Sequence, residues 1–225
     1  DKYETIGNPY ASAIDFTNVT KSGGVDGSFW VWDPNLNTFG GYTNYTSTNS
    51  YGGYKIQSGQ AFFVHATSSN GTVSFTENAK VSGSTLFTKA SSYDKSRQFI
   101  YMRLYIDTTA NKKLADLSMV AFDNTFSNNF DGLDAQKISN PGENFGITLG
   151  TKTLSSEARA KAQQNDTIHL SAKNMRTLSY QLAFKAENFV GNLIPILVDK
   201  YTGKETSKAK ILMLTLISIL RINYP

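Results

Sequence analysis

Carboxylate and amide side chains crowd into the segment Ala121–Ile138, and oxygen-rich side chains of this kind are the ligands that calcium takes in proteins. The short oxygen-bearing residues there are Asp123, Asn124, Asn128, Asn129, Asp131 and Asp134. Gly132 gives the backbone the freedom to curl around an ion. The spacing differs from that of an EF-hand, because the alternating aspartates and the distal glutamate are missing. We therefore predict a structural calcium ion held by Asp123, Asn128, Asp131 and Asp134.

The same side chains have a second use in proteins that bind no ion. Short Asp and Asn side chains accept hydrogen bonds from backbone N–H groups nearby and so brace turns. The acidic loop is therefore open to either interpretation. Calcium would raise the melting temperature relative to chelator in the first, and would leave it unchanged in the second.

A cluster of aromatic side chains lies in a Gly- and Asn-rich part of the first half. Its members are Trp30, Trp32, Tyr42, Tyr45, Tyr51 and Tyr54. Exposed rings beside amide and hydroxyl groups hold sugars, because a ring packs against the apolar face of a pyranose. We predict carbohydrate contacts by Trp30, Trp32, Tyr42 and Tyr45. The alternative is that at least one tryptophan is a core residue, as large aromatic side chains usually are.

No catalytic motif is recognisable in the sequence. His65 and His169 lie far apart, without the spacing of metal ligands or of a catalytic triad. The chain has no cysteine, which excludes disulfides, thiolate zinc sites and a cysteine nucleophile. Its paired glycines lack the helix and Lys-Ser/Thr of a phosphate loop. We predict a protein that is not an enzyme and requires no cofactor.

Composition indicates strands and turns. Of the 225 residues 40% are hydrophobic and only 18% are charged, and the chain has 14 Phe and 12 Tyr. Aromatic residues favour strands. The net charge of +4 comes from scattered lysines, so we expect no nucleic-acid partner. No apolar run reaches the roughly 20 residues that a membrane-spanning helix needs, so we expect no membrane span.

Short strands between turn signals predict an all-β fold of two consecutive β-sandwich domains, jelly-roll or immunoglobulin-like. The limits are 1–88 for the first domain, 89–97 for a polar linker and 98–206 for the second domain. In Ser28–Trp32 the alternation places Phe29 and Val31 on one face and both tryptophans on the other.

Two segments of the second half depart from the strand pattern. Ser155–Gln163 is rich in Ala, Arg, Lys and Gln, which predicts a short surface helix. The tail, residues 207–225, contains the apolar run Ile211–Ile222. We interpret this run either as a strand buried on both faces or as non-native sequence.

Three segments, in their order and spacing, resemble the region near the C-terminus of large secreted and cell-surface proteins of the Bacteroidetes. They are Ile6–Asp15, Val31–Asn35 and Ile56–Val64, and Leu197–Gly203 adds to the resemblance. It covers about residues 3–206 and implies an extracellular fragment of a longer protein exported by the type IX secretion system. A type IX sorting domain would be expected after this region, and the tail shows none of its pattern.

The resemblance also implies O-glycosylation at Asp-Ser/Thr sites, of which Thr108 and Thr167 are the candidates. We expect a non-catalytic structural or adhesive module of a Bacteroidetes surface protein, with other domains of its parent or copies of itself as partners. A carbohydrate-binding module, with glycans as partners, is the alternative. A hydrolase fragment is the third hypothesis.

Overall fold

A computed structural model describes residues 2–46, 55–82, 97–107, 112–189, 193–200, 203–207, 211–212 and 218–223. Within these ranges the chain forms strands and two short 3-10 turns, with no α-helix. The prediction of an all-β fold of β-sandwich type is therefore confirmed. No helix in the described ranges is long and apolar enough to cross a membrane.

Contacts divide the chain into two units. Unit 1 comprises Asp1–Trp32 and Thr43–Asp94, and unit 2 comprises Asp33–Tyr42 and Lys95–Pro225. The division near residue 94 falls inside the predicted linker 89–97. The assignment of residues 33–42 to unit 2 differs from the expected continuous domain 1–88. Sequence composition could not show it, because the backbone and side-chain bonds of Asn37 that tie this segment to unit 2 reach residues far along the chain.

Unit 1 is built from short antiparallel strands. They are β1 (Lys2–Gly7), β2 (Ala13–Asp15), β3 (Thr20–Ser22), β4 (Val25–Asp33), β5 (Gly41–Tyr45, which the division cuts), β6 (Lys55–Ile56), β7 (Ala61–Ala66), β8 (Thr72–Ser74) and β9 (Lys80–Val81). In the described residues they form a four-stranded sheet in the order β1-β7-β4-β5, a three-stranded sheet β6-β2-β9 and the pair β3-β8.

The core of unit 1 joins these sheets as a sandwich. Phe29 and Val31 of β4 share one face of the strand, as the alternation predicts, and that face is buried beside residues of β7. Ile14 of β2 and Ile56 of β6 meet them from the three-stranded sheet, and both are fully buried. Phe16, in the 3-10 turn Phe16–Asn18, packs edge-on against the ring of Phe29, with centroids 5.2 Å apart. Burial of these apolar side chains supplies most of the stability of such a unit.

Unit 2 contains the remaining described strands. They are β10 (Gln98–Asp107), β11 (Lys112–Phe122), β12 (Ala135–Gln136), β13 (Asn144–Leu149), β14 (Lys152–Arg159), β15 (Thr167–Lys173), β16 (Tyr180–Glu187), β17 (Ile194–Asp199), β18 (Glu205–Ser207), β19 (Ile211–Leu212) and β20 (Ser218–Asn223). The described strands follow the order β18-β17-β20-β15-β13-β14-β11-β10-β16-β19, and β12 pairs with β14.

This single sheet curls so that its two ends share one core. Ile100, Met102 and Leu104 of β10 lie at alternate positions, so their side chains share one face of the strand, and all three are buried. They belong to the same buried cluster as Leu182 of β16 and Leu197 of β17, although β16 and β17 lie far apart in the strand order. A flat sheet would keep these residues apart, so the cluster requires strong curvature.

The predicted helix at Ser155–Gln163 is wrong. Residues 152–159 form β14, which pairs with β11 in parallel and with β12 and β13 in antiparallel register. Ser155, Ser156 and Glu157 are all buried. Helix propensity amounts to a few tenths of a kcal/mol per residue. Strand pairing on both edges outweighs it here.

The described residues of the apolar tail are strands. Residues 211–212 form β19 beside β16, and residues 218–223 form β20 between β15 and β17. The strand interpretation of the tail agrees with this pairing.

The corner after β1 depends on a single amide side chain. Asn8 Nδ2 donates to the carbonyl oxygens of Ser12, Ile56 and Gln57 at 2.8, 3.1 and 3.0 Å. Its Oδ1 accepts from Tyr10 N at 2.9 Å, and the residue is 5% exposed. Asn8 therefore connects two of the segments that carry the resemblance.

Replacement of Asn8 by alanine should lower the free energy of unfolding by about 2 kcal/mol, because buried carbonyl groups lose their donor. Urea denaturation of Asn8→Ala measures this loss. Asn18→Ala, at an exposed position, is the matched control and should stay within about 0.5 kcal/mol of the parent. Equal losses in the two variants would contradict a bracing role for Asn8.

Candidate functional site

The acidic loop is braced by hydrogen bonds from the protein itself. Asp123 Oδ1 accepts from Thr125 N at 2.9 Å and from Thr125 Oγ1 at 2.7 Å. These bonds lower the pKa of the Asp123 carboxyl. Asp131 Oδ1 accepts from Leu133 N at 2.8 Å. Both are the short-range Asp contacts that stabilise turns.

The other two predicted ligands bond to the strand end at residues 158–160. Asn128 Oδ1 accepts from Ala160 N at 3.1 Å, and Asp134 Oδ1 accepts from Ala158 N at 2.8 Å. Among the described residues no group of three or more His, Asp or Glu side chains could hold a metal ion. Calcium binding by this loop stays a prediction, and an ion would have to displace several of these hydrogen bonds.

Two buried carboxyls lie where the loop meets β14. Asp134 and Glu157 are each 1% exposed. Burial raises the pKa of Glu157 to about 7, against the opposing effect of Arg159, whose Nη1 lies 3.3 Å from Glu157 Oε1. Burial also raises the pKa of Asp134 to about 6. The nearby charge of Asp134 raises the pKa of Glu157 further, so the folded state favours a protonated Glu157 below pH 7.

The predicted carbohydrate contacts do not form one exposed row. Trp30 is 1% exposed, so the prediction is wrong for this residue, and the alternative of a core tryptophan holds. Its ring packs edge-on against Tyr3, with centroids 5.3 Å apart. Tyr45 stacks on Phe29 at 4.9 Å, against the core of unit 1. A ring in such a stack has one face covered by protein.

Three of the predicted aromatic contacts retain some exposure. Trp32 is 38% exposed and Tyr45 half-buried in unit 1, and Tyr42 of unit 2 is half-buried. Tyr42 N donates to Asn140 Oδ1 at 2.8 Å. Tyr51 and Tyr54 lie outside the described residues. Sugar binding at Trp32, Tyr42 and Tyr45 stays a prediction.

One of the two glycosylation candidates lies within the described residues, and the other does not. Thr167 opens β15 and is half-buried, and its Oγ1 donates to Asn165 O at 3.3 Å. Thr108 lies outside the described residues. Glycosylation at both positions stays a prediction.

Unit 1 contains a buried histidine–aspartate pair that sequence reasoning missed. His65 Nδ1 and Asp26 Oδ2 are 2.6 Å apart, and His65 is 0% exposed. Tyr3 packs on the His65 ring with centroids 4.8 Å apart. Burial, followed by the nearby Asp26 charge, raises the pKa of Tyr3 to about 12. His169, by contrast, is exposed in β15.

Glu143 is a buried charged group of unit 2 with three side-chain partners. It is 0% exposed and accepts hydrogen bonds on both carboxylate oxygens. Arg176 donates from Nε to Oε1 at 2.8 Å and from Nη2 to Oε2 at 3.1 Å. Tyr180 OH donates to Oε1 at 2.6 Å, and Asn37 Nδ2 donates to Oε2 at 2.9 Å. A two-pronged arginine contact of this type is among the strongest hydrogen-bonded ion pairs.

These donors keep Glu143 ionised. Burial alone would raise the pKa of its carboxyl, but the bonds from Arg176, Tyr180 and Asn37 outweigh burial and hold the pKa at about 2. In turn, burial and Glu143 raise the pKa of Tyr180 to about 12. The site can hold charge and fix geometry, and it leaves no carboxylate oxygen without a protein donor.

Asn37 is shaped for this contact. Its backbone has a φ of 61°, in the left-handed region that Asn tolerates better than most residues. Gly142 lies so close that an added Cβ would come within 2.7 Å of Asn37 Nδ2. An Asn before a turn and a glycine beside a glutamate were visible in the sequence. Their pairing was not, because Asn37 and Glu143 are 106 positions apart.

The fold and these sites define an all-β protein whose buried charges are satisfied largely from within. The chain belongs to the family DUF8693, described as a domain of unknown function, since the family model matches residues 1–192. No curated protein and no solved structure matches the chain.

Replacement of Glu143 by glutamine should lower the free energy of unfolding by about 2 kcal/mol at pH 7, because Arg176 loses a charged acceptor. The folded pKa of about 2 lies below the ordinary value, so the ionised group stabilises the fold above pH 4.5. The difference between Glu143→Gln and the parent should therefore shrink as the pH falls towards 2. Denaturant unfolding at several pH values tests this, with the exposed Glu4→Gln as control. A difference that does not change with pH would contradict it.

Replacement of Glu157 by glutamine should change the free energy of unfolding in the opposite direction from Glu143→Gln. Its folded pKa of about 7 lies above the ordinary value of 4.5, so the parent loses stability as the pH rises from 4.5 through 7. Glu157→Gln should be equal to the parent near pH 4.5 and more stable by about 3 kcal/mol at pH 8, at about 1.4 kcal/mol per pKa unit. Urea denaturation at both pH values measures the crossover. A variant less stable than the parent at pH 8 would show that ionised Glu157 stabilises the fold.

Proposed function

We propose that this protein is a non-catalytic structural or adhesive module of a Bacteroidetes surface protein. In this role the sandwich units space and present other domains of a longer parent protein on the outside of the cell. The proposal rests on the resemblance of Ile6–Asp15, Val31–Asn35 and Ile56–Val64 to exported proteins, and on the way the polar groups of unit 2 are used.

The observation that carries the proposal is the Glu143 network. A catalytic carboxylate needs a lone pair or a proton to offer to substrate. Both oxygens of Glu143 are instead bonded to protein donors, and its bonds connect the segment around Asn37 with the residues around Arg176 and Tyr180. A charge used in this way stiffens the unit.

A second buried ion pair supports the same role. Lys137 Nζ lies 2.8 Å from Asp116 Oδ1 and 2.7 Å from Oδ2, and both side chains are nearly fully buried. Asp116 also accepts from the backbone N–H groups of Phe145 and Leu117. Buried pairs add little net stability over apolar residues but are costly to break, so they favour one arrangement of strands.

The alternative function is carbohydrate binding. The exposure of Trp32, at 38%, favours it, because an exposed indole can pack against a sugar. A glycan array would test it with the parent and with Trp32→Ala. Binding that is lost in the variant would support the alternative.

Exposure on the cell is the test of the structural role. Protease treatment of intact cells should remove the protein, and an antiserum against it should label unbroken cells. The purified chain should release no reducing sugar from a panel of polysaccharides between pH 5 and pH 8. Cleavage of any polysaccharide, or protection of the protein until the cells are lysed, would contradict the proposal.

Association between copies is the second test. An adhesive or self-assembling module should show multiples of the 24.8 kDa chain in native mass spectra and a concentration-dependent elution volume. A single mass at every concentration would restrict the role to that of a spacer. The same spectra with calcium and with chelator check the predicted ion at Asp123–Asp134.

A further inference from the structure

We infer that unit 2 carries a binding site for a neutral sugar ring, formed by Phe39, Thr38 and the guanidinium of Arg176. The site is separate from the aromatic residues that the sequence pattern favoured. It does not rest on the structural role proposed above, and it assigns a ligand class to the surface of unit 2.

Phe39 is the most exposed large apolar side chain among the described residues, at 53%. The guanidinium carbon of Arg176 lies 5.0 Å from its ring centroid, within the range of a cation–π contact. The arginine thus supports the ring and fixes its orientation.

The segment that presents Phe39 is anchored on both sides. Before it, Leu36 and Asn37 are buried, and Asn37 N donates to Leu114 O at 2.8 Å. After it, Gly40 has a φ of 81°, which favours glycine. Gly41 packs so closely that an added Cβ would meet Leu36 Cδ2 at 2.7 Å. An exposed ring on a fixed backbone needs little ordering when a ligand binds, and this improves affinity.

Polar groups border the ring. Arg176 uses Nε and Nη2 for Glu143, and Nη2 also lies 3.4 Å from Thr38 Oγ1. Its third nitrogen, Nη1, donates to no residue in the described part of the chain. Thr38 is exposed, so its hydroxyl and Arg176 Nη1 are donors beside an apolar ring. A pyranose has the matching groups, because C–H groups on its face can pack on the ring and hydroxyl oxygens on its edge can accept from the donors.

The charge balance selects a neutral ligand. Glu143 is ionised at neutral pH, since its pKa is about 2, and it contacts the same guanidinium. The pair therefore has no net charge to attract a phosphate or a carboxylate. It acts as a source of directed N–H donors, which suits sugar hydroxyls.

The size of the surface selects a small ligand. A fully exposed aromatic side chain offers about 200 Å², so Phe39 presents about 100 Å². A stable protein interface buries about 800 Å² on each partner. One or two sugar rings fit the available area better than a folded protein.

Saturation-transfer difference NMR on the full chain tests the site with the methyl glycosides of glucose, galactose and mannose as probes. For one ring we expect a dissociation constant of about 1 mM. Phe39→Ala should abolish the transferred signal, and Phe39→Tyr should keep it. Both variants should melt at the temperature of the parent, because the side chain is exposed.

Tyr10→Ala is the matched control, since it removes from unit 1 another ring that lies under a cation, with Lys80 Nζ 4.4 Å from its centroid, and it should leave the signal unchanged. Loss of signal in Tyr10→Ala with retention in Phe39→Ala would overturn the assignment. Absence of signal for all three glycosides would also overturn it. Glucuronic acid should bind no better than methyl glucoside, and a gain of tenfold or more would contradict the neutral character of the site.

Discussion

Glu143 is charged and out of reach of solvent, and it can stay so only while Asn37, Arg176 and Tyr180 hold their positions around it. Leaving a carboxylate buried without partners would cost several kcal/mol. The requirement therefore extends outwards. Asn37 needs its left-handed backbone, and Gly142 must lack a side chain. Tyr180, the first residue of β16, must lie where its hydroxyl reaches Glu143.

The same constraint connects the buried interior of unit 2 to its surface. Arg176 reaches Glu143 with one side of its guanidinium and lies over the ring of Phe39 at 5.0 Å. The position of the exposed ring is thus set by an interior ion pair. Together with the buried Leu36 and Asn37 beside it, this contact holds the ring in one geometry, which is what a small binding site requires.

The buried carboxyls of unit 2 respond to pH in opposite directions, for reasons visible in their partners. Glu143 has three side-chain donors and a pKa of about 2. Glu157 Oε1 lies 3.3 Å from Nη1 of Arg159, its one charged partner of opposite sign among the described residues, and the side chain is buried. Burial therefore raises the pKa of Glu157 to about 7. Partner geometry thus decides which form of a buried acid the fold keeps.

The sequence by itself determined the all-β class, several strands and which of their side chains share a face. Alternation put Phe29 and Val31 on one face of their strand and both tryptophans on the other, because side chains alternate across every strand. Composition gave the wrong prediction at Ser155–Gln163. The residues there favour a helix, but most of them form β14, because the free energy of pairing with other strands exceeds the local helix propensity. Tertiary structure alone decided that Trp30 is buried, that residues 33–42 belong to unit 2, and that Asn37 meets Glu143. Burial and long-range hydrogen bonds depend on which strands lie together, and periodicity within a strand contains no information about its distant partners.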